Sequence, residues 1–566
     1  MNNSEIKHSL KLAGQLMELH GDNPFKTRSY TSAADVVGGL DVELATLSEK
    51  EILAIDGLGK SMAANIADLL HSGSFEGLNQ LMDKTPVGVI EMLGISGFGP
   101  KKVAVLWQEG GAETLDDLLT MCDQGKVAAL KGFAEKSQET LRAAVSFLIG
   151  NRFRERYANV EAVVATLQTL IADLPSVEQC QETGQTRRRL EVIDQIELLV
   201  VAEDFEEARE QISQLTGLEV DERKSSPMAW YGKHVGVKPP IKIHFADSDS
   251  AINRLIETTG SIEHLNLPTT DQTSIKSALK KGRFVSEEAF YQSIGMKPIV
   301  PELREGRREG DWATQDRLPQ LIEMSDLKGI LHNHSTYSDG KHTLRQMAEH
   351  CKQLGYEYLG ISDHSQTAVY ANGLPDFRVK QQQEEIRQLN EELAPFKIFS
   401  GIESDILTDG SLDYSEEILA SFDFIVASVH SGLNMDIQKA TDRLLKAIHN
   451  PYTTILGHMT GRLLVQREGY PVDHRAIIDA CAETGVVIEI NASPYRLDMD
   501  WRWIEYALDK GVKLSINPDA HKMDGYKDMY YGLQVARKGG LTANDNLNSM
   551  NLAEITAFFA SKRNKK

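Results

Sequence analysis

The chain has 566 residues, of which 41% are hydrophobic and 25% charged, so it exceeds one core and calls for three or four soluble domains. No apolar run is long enough to span a bilayer, and the opening MNNSEIKHSLKLAGQ has no apolar signal core. A net charge of −21 argues against a broad cationic surface that coats nucleic acid, while leaving local phosphate grips open. Cys122, Cys180, Cys351 and Cys481 are scattered without a CxxC pair, which suits reduced thiols and a cytoplasmic location.

The first 150 residues predict helices. EIKHSLKLAGQLMELHG is amphipathic and stops at Gly21, a C-cap position, and Asn23-Pro24-Phe25 opens the next helix. Two later segments, AIDGLGKSMAANI and GISGFGPKKVAVL, each place Gly-x-Gly before the first turn of a helix. Gly57 and Gly59, then Gly97 and Gly99, permit left-handed backbone, and the helix starts behind them offer free N–H groups to a phosphate. With Lys60, Lys101 and Lys102 alongside, this tandem helix-hairpin-helix pattern, a common grip on DNA backbone, predicts contact with DNA or RNA. A third copy, LKGFAEKSQETL, has Ala134 in place of the second glycine and is expected to be structural.

Beyond residue 150, TGQTRRRLEVIDQIELLVVAED has the layout of a strand pair bearing carboxylates. PELREGRREGDWATQDRLPQLIEMSD is charged, has prolines near both ends, and reads as a solvated connector over 301–326.

From Lys328 onward, short apolar runs alternate with amphipathic helices about seven times, which predicts a parallel barrel or wound sheet. In such folds chemistry gathers at the C-terminal ends of the strands. The runs end on His332 and His334, His364, Glu403, His430, His458, and then Asp519 and His521, while Asp339 follows in a YSDG loop. His332 and His334 are two positions apart on one strand, so both imidazoles face the same way. Imidazole mixed with carboxylate suits Mn²⁺, Zn²⁺ or Fe²⁺. Arg462 and Arg496 also follow strand ends, where each either clamps phosphate oxygens or pairs with a barrel carboxylate. Tyr495 either stacks on a terminal base or packs as an aromatic.

NPFKTRSY, the glycine hairpins, TTGSIEH, PELRE and the barrel motifs together resemble a bacterial family X DNA polymerase with a C-terminal PHP domain, over essentially the whole chain. The resemblance implies a multidomain α/β protein. Its parts are a helix-hairpin-helix lyase-like domain (1–85), a fingers-like hairpin region (86–150), a degenerate nucleotidyltransferase-like α+β palm (151–235), a thumb (236–300), a linker (301–326) and a PHP-type distorted (β/α)7 barrel (327–566). It further implies three metal ions. One is held by His332, His334, Glu403 and Asp519; a second by Glu403, His430 and His458; a third by Asp339, His364 and His521.

The palm departs from the family pattern. The family's Asp-x-Asp metal pair falls on Gln195 and Glu197, and its third Asp falls near Lys242. Two-metal polymerisation needs clustered carboxylates, so polymerase activity is expected to be lost. The family's Schiff-base lysine position carries Asn65. The implied function is DNA repair by a monomeric, metal-dependent 3′→5′ exonuclease or 3′-end phosphoesterase acting at 3′ ends, gaps or nicks, with other repair proteins as partners. The alternatives are a small-molecule phosphomonoesterase of the histidinol phosphatase type and a non-enzymatic DNA-binding scaffold.

Overall fold

A computed structural model describes residues 1–40, 42–95 and 97–563. The chain divides into two compact units, Met1–Arg152 and Phe153–Lys566. Among the described residues, no helix is long and apolar enough to cross a membrane.

The first unit is helical, as its periodicity predicts. The helices Asn3–Leu19 and Pro24–Gly39 pack through an apolar stripe in which Leu10, Leu16 and Val37 are fully buried. Asn2 caps the first helix in a capping box with Glu5, which satisfies two orphan N-terminal donors. Three hairpins then repeat one backbone solution. Gly57, Gly97 and Gly132 have φ of +86°, +81° and +87°, and in each case the next helix starts three residues later.

Besides a two-stranded antiparallel ribbon, Glu155–Arg156 with Val192–Ile193, the second unit holds two large sheets. The smaller has five strands in the spatial order Gln179–Thr183, Ile196–Val201, Ile241–Ala246, Ala229–His234, Leu218–Val220. Only the Ile196–Val201 and Ile241–Ala246 pair is parallel, and its register sets Glu197 beside Lys242. Helix Tyr157–Ala172 covers one face through Val160, Val164, Leu167 and Ile171.

The larger sheet has seven parallel strands in chain order: Gly329–Ile330, Tyr358–Ile361, Lys397–Asp405, Phe424–Ser428, Ile455–Leu456, Val487–Asn491 and Leu514–Asn517. It curls into a nearly closed barrel in which the segments just after the first and last strands meet at one parallel bridge, Asn333 to Ala520. Side chains alternate between faces with period two, and one face changes character along each strand. Phe399, Gly401 and Glu403 follow one another on it, as do Val487, Glu489 and Asn491. The apolar ends are sealed by helix Leu552–Arg563, whose Phe559 ring lies 5.1 Å from Phe399 and 5.2 Å from Phe424. The polar ends form the opposite mouth.

Segment 301–326 departs from the solvated linker expected of it. Arg304 and Glu309 are 2% and 1% exposed, and Leu303 and Ala313 join an apolar core with Phe290 and Tyr291. Arg304 donates to Glu287 at 2.6 Å, Glu309 lies 2.9 Å from His264 Nδ1, and Arg307 and Arg308 pair with Glu505 and Asp509. The charges are matched by distant partners, so the segment packs. TTGSIEH is likewise internal scaffolding: Thr258 and Thr259 bond Thr183, and Ser261 caps the turn that carries His264.

Candidate metal centre

All nine histidine and carboxylate side chains singled out by spacing converge at the barrel mouth. Glu403, 1% exposed, is the hub. Its Oε1 lies 3.1 Å from His458 Nε2, 3.2 Å from His430 Nε2 and 3.3 Å from His332 Nε2. Its Oε2 lies 3.1 Å from His364 Nδ1 and 3.6 Å from His334 Nε2. Asp519 Oδ1 stands 3.1 Å from His334 Nε2, and Asp339 Oδ1 stands 3.3 Å from His521 Nε2. Gly340 makes the Asp339 loop possible, because a Cβ there would lie 2.7 Å from the His334 backbone.

Three sets of ligand atoms lie close enough to share an ion: His332, His334 and Asp519; His364, Glu403 and His430; and His334, Asp339, His364 and His521. These overlap the grouping the resemblance implies, but His334 and His364 each reach two sets.

The donor atoms fit cations. His332 Nε2, His334 Nδ1, His364 Nδ1, His458 Nδ1 and Glu403 Oε2 are buried and make no hydrogen bond. Such groups cost roughly 1–3 kcal/mol each if left unpaired. Two of these residues also hold strained backbone, with φ of +57° at His332 and +53° at Asp519. Non-glycine residues reach this region rarely, and it clusters at functional sites.

Electrostatics point the same way. Burial opposes charge on Glu403, yet the His430, His332 and His364 imidazoles hold its carboxyl well below the ordinary range. Burial also opposes a proton on His430, but Glu403 and Asp405 outweigh it and push this histidine up to about 10. His364 goes the other way, lowered by burial to about 4. Carboxylates without cations thus hold protons on some imidazoles, protons that metal ligation displaces.

Three carboxylates around the centre escaped the sequence reading. Glu489, fully buried, lies 2.6 Å from His332 Nδ1 and accepts from the His458 amide at 3.1 Å and from Asn517 at 2.9 Å. Asp405 bonds His430 Nδ1. Asp363 accepts from the amides and hydroxyls of Ser335 and Ser338 and from Gln382, tying the Asp339 loop to the end of strand Tyr358–Ile361. Such partners fix the tautomer and orientation of ligating imidazoles. A signal was available for Glu489: a lone carboxylate inside the apolar run VVIEIN.

The two arginines separate. The Nε of Arg496 lies 3.9 Å from Asp519 Oδ2, at the centre's edge. Arg462 pairs with Asp500 at 2.8 Å and donates to the carbonyls of Arg496 and Leu497, so it holds the loop on which Arg496 sits. Tyr495 is 48% exposed, and the Arg156 guanidinium lies 3.9 Å from its ring centroid.

The smaller sheet offers no comparable centre. Glu197 is bonded to His244 Nε2 at 3.0 Å, Gln195 Nε2 stands 3.5 Å from the Tyr231 hydroxyl, and Lys242 is the neighbour across the strand pair. Among the described residues, every set of three or more potential ligands lies in the barrel. Arg187 and Arg188, where the family pattern has its arginine pair, are bonded to Glu287 and Glu305.

In the hairpins, Gly59 and Gly99 are the N-caps of helices Lys60–Ser72 and Pro100–Ala104, with no side chain closing the helix start. The third hairpin differs, because Ser137 Oγ accepts from the Ala134 amide at 2.7 Å. Lys60 is exposed, Lys101 stands 3.8 Å from Glu18, and Lys102 donates to the Gly97 carbonyl. Asn65, at the former lysine position, donates to Tyr30 Oη at 2.9 Å.

A parallel barrel with a histidine-carboxylate centre at its mouth, on a chain that opens with helix-hairpin-helix motifs, defines a PHP-domain protein of the DNA-handling class. Comparison with known proteins bears this out: residues 331–493 match the PHP domain and residues 1–75 a helix-hairpin-helix domain. Over the full length of both proteins the chain is 33% identical to the DNA polymerase/3′-5′ exonuclease PolX of Bacillus subtilis. The chain belongs to the PolX family of DNA polymerase/3′-5′ exonucleases. It is also 27% identical to a "probable phosphatase" of Thermoanaerobacter sp. over 42% of this chain and 98% of that protein. A similar "probable phosphatase" of Clostridium acetobutylicum is 29% identical over 34% of this chain and 78% of its own length.

Proposed function

We propose that this protein is a metal-dependent phosphoesterase that trims DNA 3′ ends, as a 3′→5′ exonuclease or 3′-end phosphoesterase, and that its palm no longer polymerises. One observation carries the reading, the contrast between the two large sheets of the second unit. The barrel gathers nine candidate ligand side chains, five of which have a buried donor atom that makes no hydrogen bond, whereas the palm sheet keeps Glu197 alone, bonded to His244.

His332, His334, Glu403 and Asp519 would hold one ion, His430 and His458 a second with Glu403, and Asp339, His364 and His521 a third. Bound Mn²⁺, Zn²⁺ or Fe²⁺ supplies Lewis acidity toward phosphate and lowers the pKa of water. The protein's own share is placement. Glu489 and Asp405 hold their imidazoles with Nε2 toward Glu403, and burial of the ligands limits access by bulk water. Arg496 binds non-bridging phosphate oxygens as the charge on phosphorus builds, and Arg462 keeps the Arg496 loop in place. The hairpins at Gly57–Lys60 and Gly97–Lys102 grip the duplex backbone, residues 1–150 thereby serving as the DNA-holding part and 327–566 as the hydrolytic part.

The test is a 5′-labelled primer–template with Mn²⁺, with and without the four dNTPs, run for wild type and His332→Ala/His334→Ala. Progressive shortening, lost in the variant and indifferent to dNTPs, is expected. Lengthening with dNTPs would restore the palm as a polymerase. A second reading, hydrolysis of a small phosphate monoester, draws on the relatives that consist of little more than the barrel. It gains if small esters turn over while oligonucleotides stay intact.

A further inference from the structure

The negative charge of the chain is unevenly spread. Between the end of strand Ile241–Ala246 and the segment 276–283 runs a groove of about 760 Å³. Five cations line it, Arg254, Lys276, Lys280, Lys281 and Arg283, against the two carboxylates Asp247 and Glu257. Arg254 is paired with Glu257 and Lys281 with Asp271, each at 2.8 Å. Among the described residues, Lys276, Lys280 and Arg283 have no such partner, and all three are exposed. The screening length of about 8 Å at physiological salt lets a local cationic patch act independently of acidic surface farther away.

The groove is braced. The Asn253 amide donates to the carbonyls of Leu279 and Gly282, both at 2.8 Å, and its oxygen accepts from the Phe284 amide at 3.2 Å. The cation-bearing turn is therefore held in place before any ligand arrives, which removes part of the ordering cost of binding. Met228, 50% exposed, offers an apolar surface in the same groove. Arg254 also reaches back to His244 Nδ1 at 3.1 Å, and His244 bonds Glu197. Lys242, Arg254 and the groove cations thus lie where a divalent metal is repelled and phosphate is attracted.

We propose that this groove binds a single strand of nucleic acid through its backbone phosphates, without metal, with a base resting on Met228. Lys276 and Lys280 are one helical turn apart, a rise of about 6 Å. That is comparable with the step between successive phosphates of an extended strand, whereas a free nucleotide needs donors converging on one phosphate chain. Hydrolysis at the barrel is not required for this binding.

The probe is a fluorescein-labelled oligothymidylate whose 3′ end is capped by phosphorothioates. Its anisotropy is followed with the metal-loaded full chain over a series of salt concentrations. Three single-strand phosphate contacts contribute about 0.7 each to the slope of log K against log salt. Lys276→Gln/Lys280→Gln/Arg283→Gln is therefore expected to flatten that slope by about 2 units. The charge-preserving Lys276→Arg/Lys280→Arg/Arg283→Lys variant is expected to keep it. An unchanged slope in the glutamine variant, or an equal loss in both, overturns the proposal. So does displacement of the oligonucleotide by equimolar dTTP, which assigns the groove to free nucleotide. A barrel that fails to shorten DNA leaves the binding result intact, so the two readings stand or fall separately.

Discussion

His332 Nδ1 and Glu489 Oε2 lie 2.6 Å apart, both side chains fully buried at the floor of the metal centre. The carboxylate accepts a hydrogen bond from Nδ1–H and leaves Nε2 turned toward Glu403 and Asp519. Glu489→Gln removes the charge but keeps the shape. Metal affinity is expected to fall about 10- to 100-fold, measured by competition with a chromophoric chelator. Unchanged affinity would exclude His332 from the ligand set.

Metal uptake should release protons. Burial disfavours charge on His521, but Asp339 and Asp519 outweigh it and raise this histidine to about 9, while His430 stands at about 10. Both folded values lie above the ordinary one, so at pH 7 the metal-free protein carries these protons and must shed them on ligation. Apparent metal affinity therefore rises as pH climbs from neutral through about 9 to 10. Calorimetry in two buffers of different ionisation enthalpy checks this, since heats that do not depend on the buffer would contradict it.

Acid should weaken the second unit through Glu287. Burial raises its pKa, but Arg187 and Arg304 more than compensate and hold it at about 2. The depressed folded value means that its contribution is present above the unfolded pKa and lost as pH falls toward 2. That contribution is of the order of 3 kcal/mol. Glu287→Gln should lower the melting temperature at pH 7 and flatten its decline in acid. A variant as acid-sensitive as wild type would mean that another group carries the effect.

Arg496 and Arg462 should behave as one unit. Arg496→Met is expected to lower kcat/KM on an oligonucleotide roughly 100-fold, the scale for losing one donor to developing charge. Arg462→Met should cost a similar factor by freeing the loop, and the double variant should cost little more than either alone. Additive losses would show that the two act separately.

The barrel was legible because its strands alternate with period two and each polar end carries a residue of unusual type, as in KIFSGIE and FIVASVH. The departure of the smaller sheet from the family pattern could be read from residue type alone, since Gln195 brings no charge to neutralise a cation and Lys242 repels one. What sequence could not give was pairing. Arg304 meets Glu287 across 17 positions and His264 meets Glu309 across 45, so the charge that suggested a solvated connector lies inside a packed core. The roles of Arg462 and Arg496 divided for the same reason, since both follow strand ends and only the loop between them tells them apart.

The bridge from Asn333 to Ala520 gives the near-closure of the barrel a further meaning. His332 and His334 stand on one lip of the seam, and Asp519 and His521 on the other. An ion gripped from both lips would do the work of missing hydrogen bonds, as a clasp holds the ends of a bracelet. Its two strained hinges, His332 and Asp519, are where the chain bends to reach it. On this view chelation does more than silence chemistry: it unfastens the barrel along one line, and thermal resistance should track metal content.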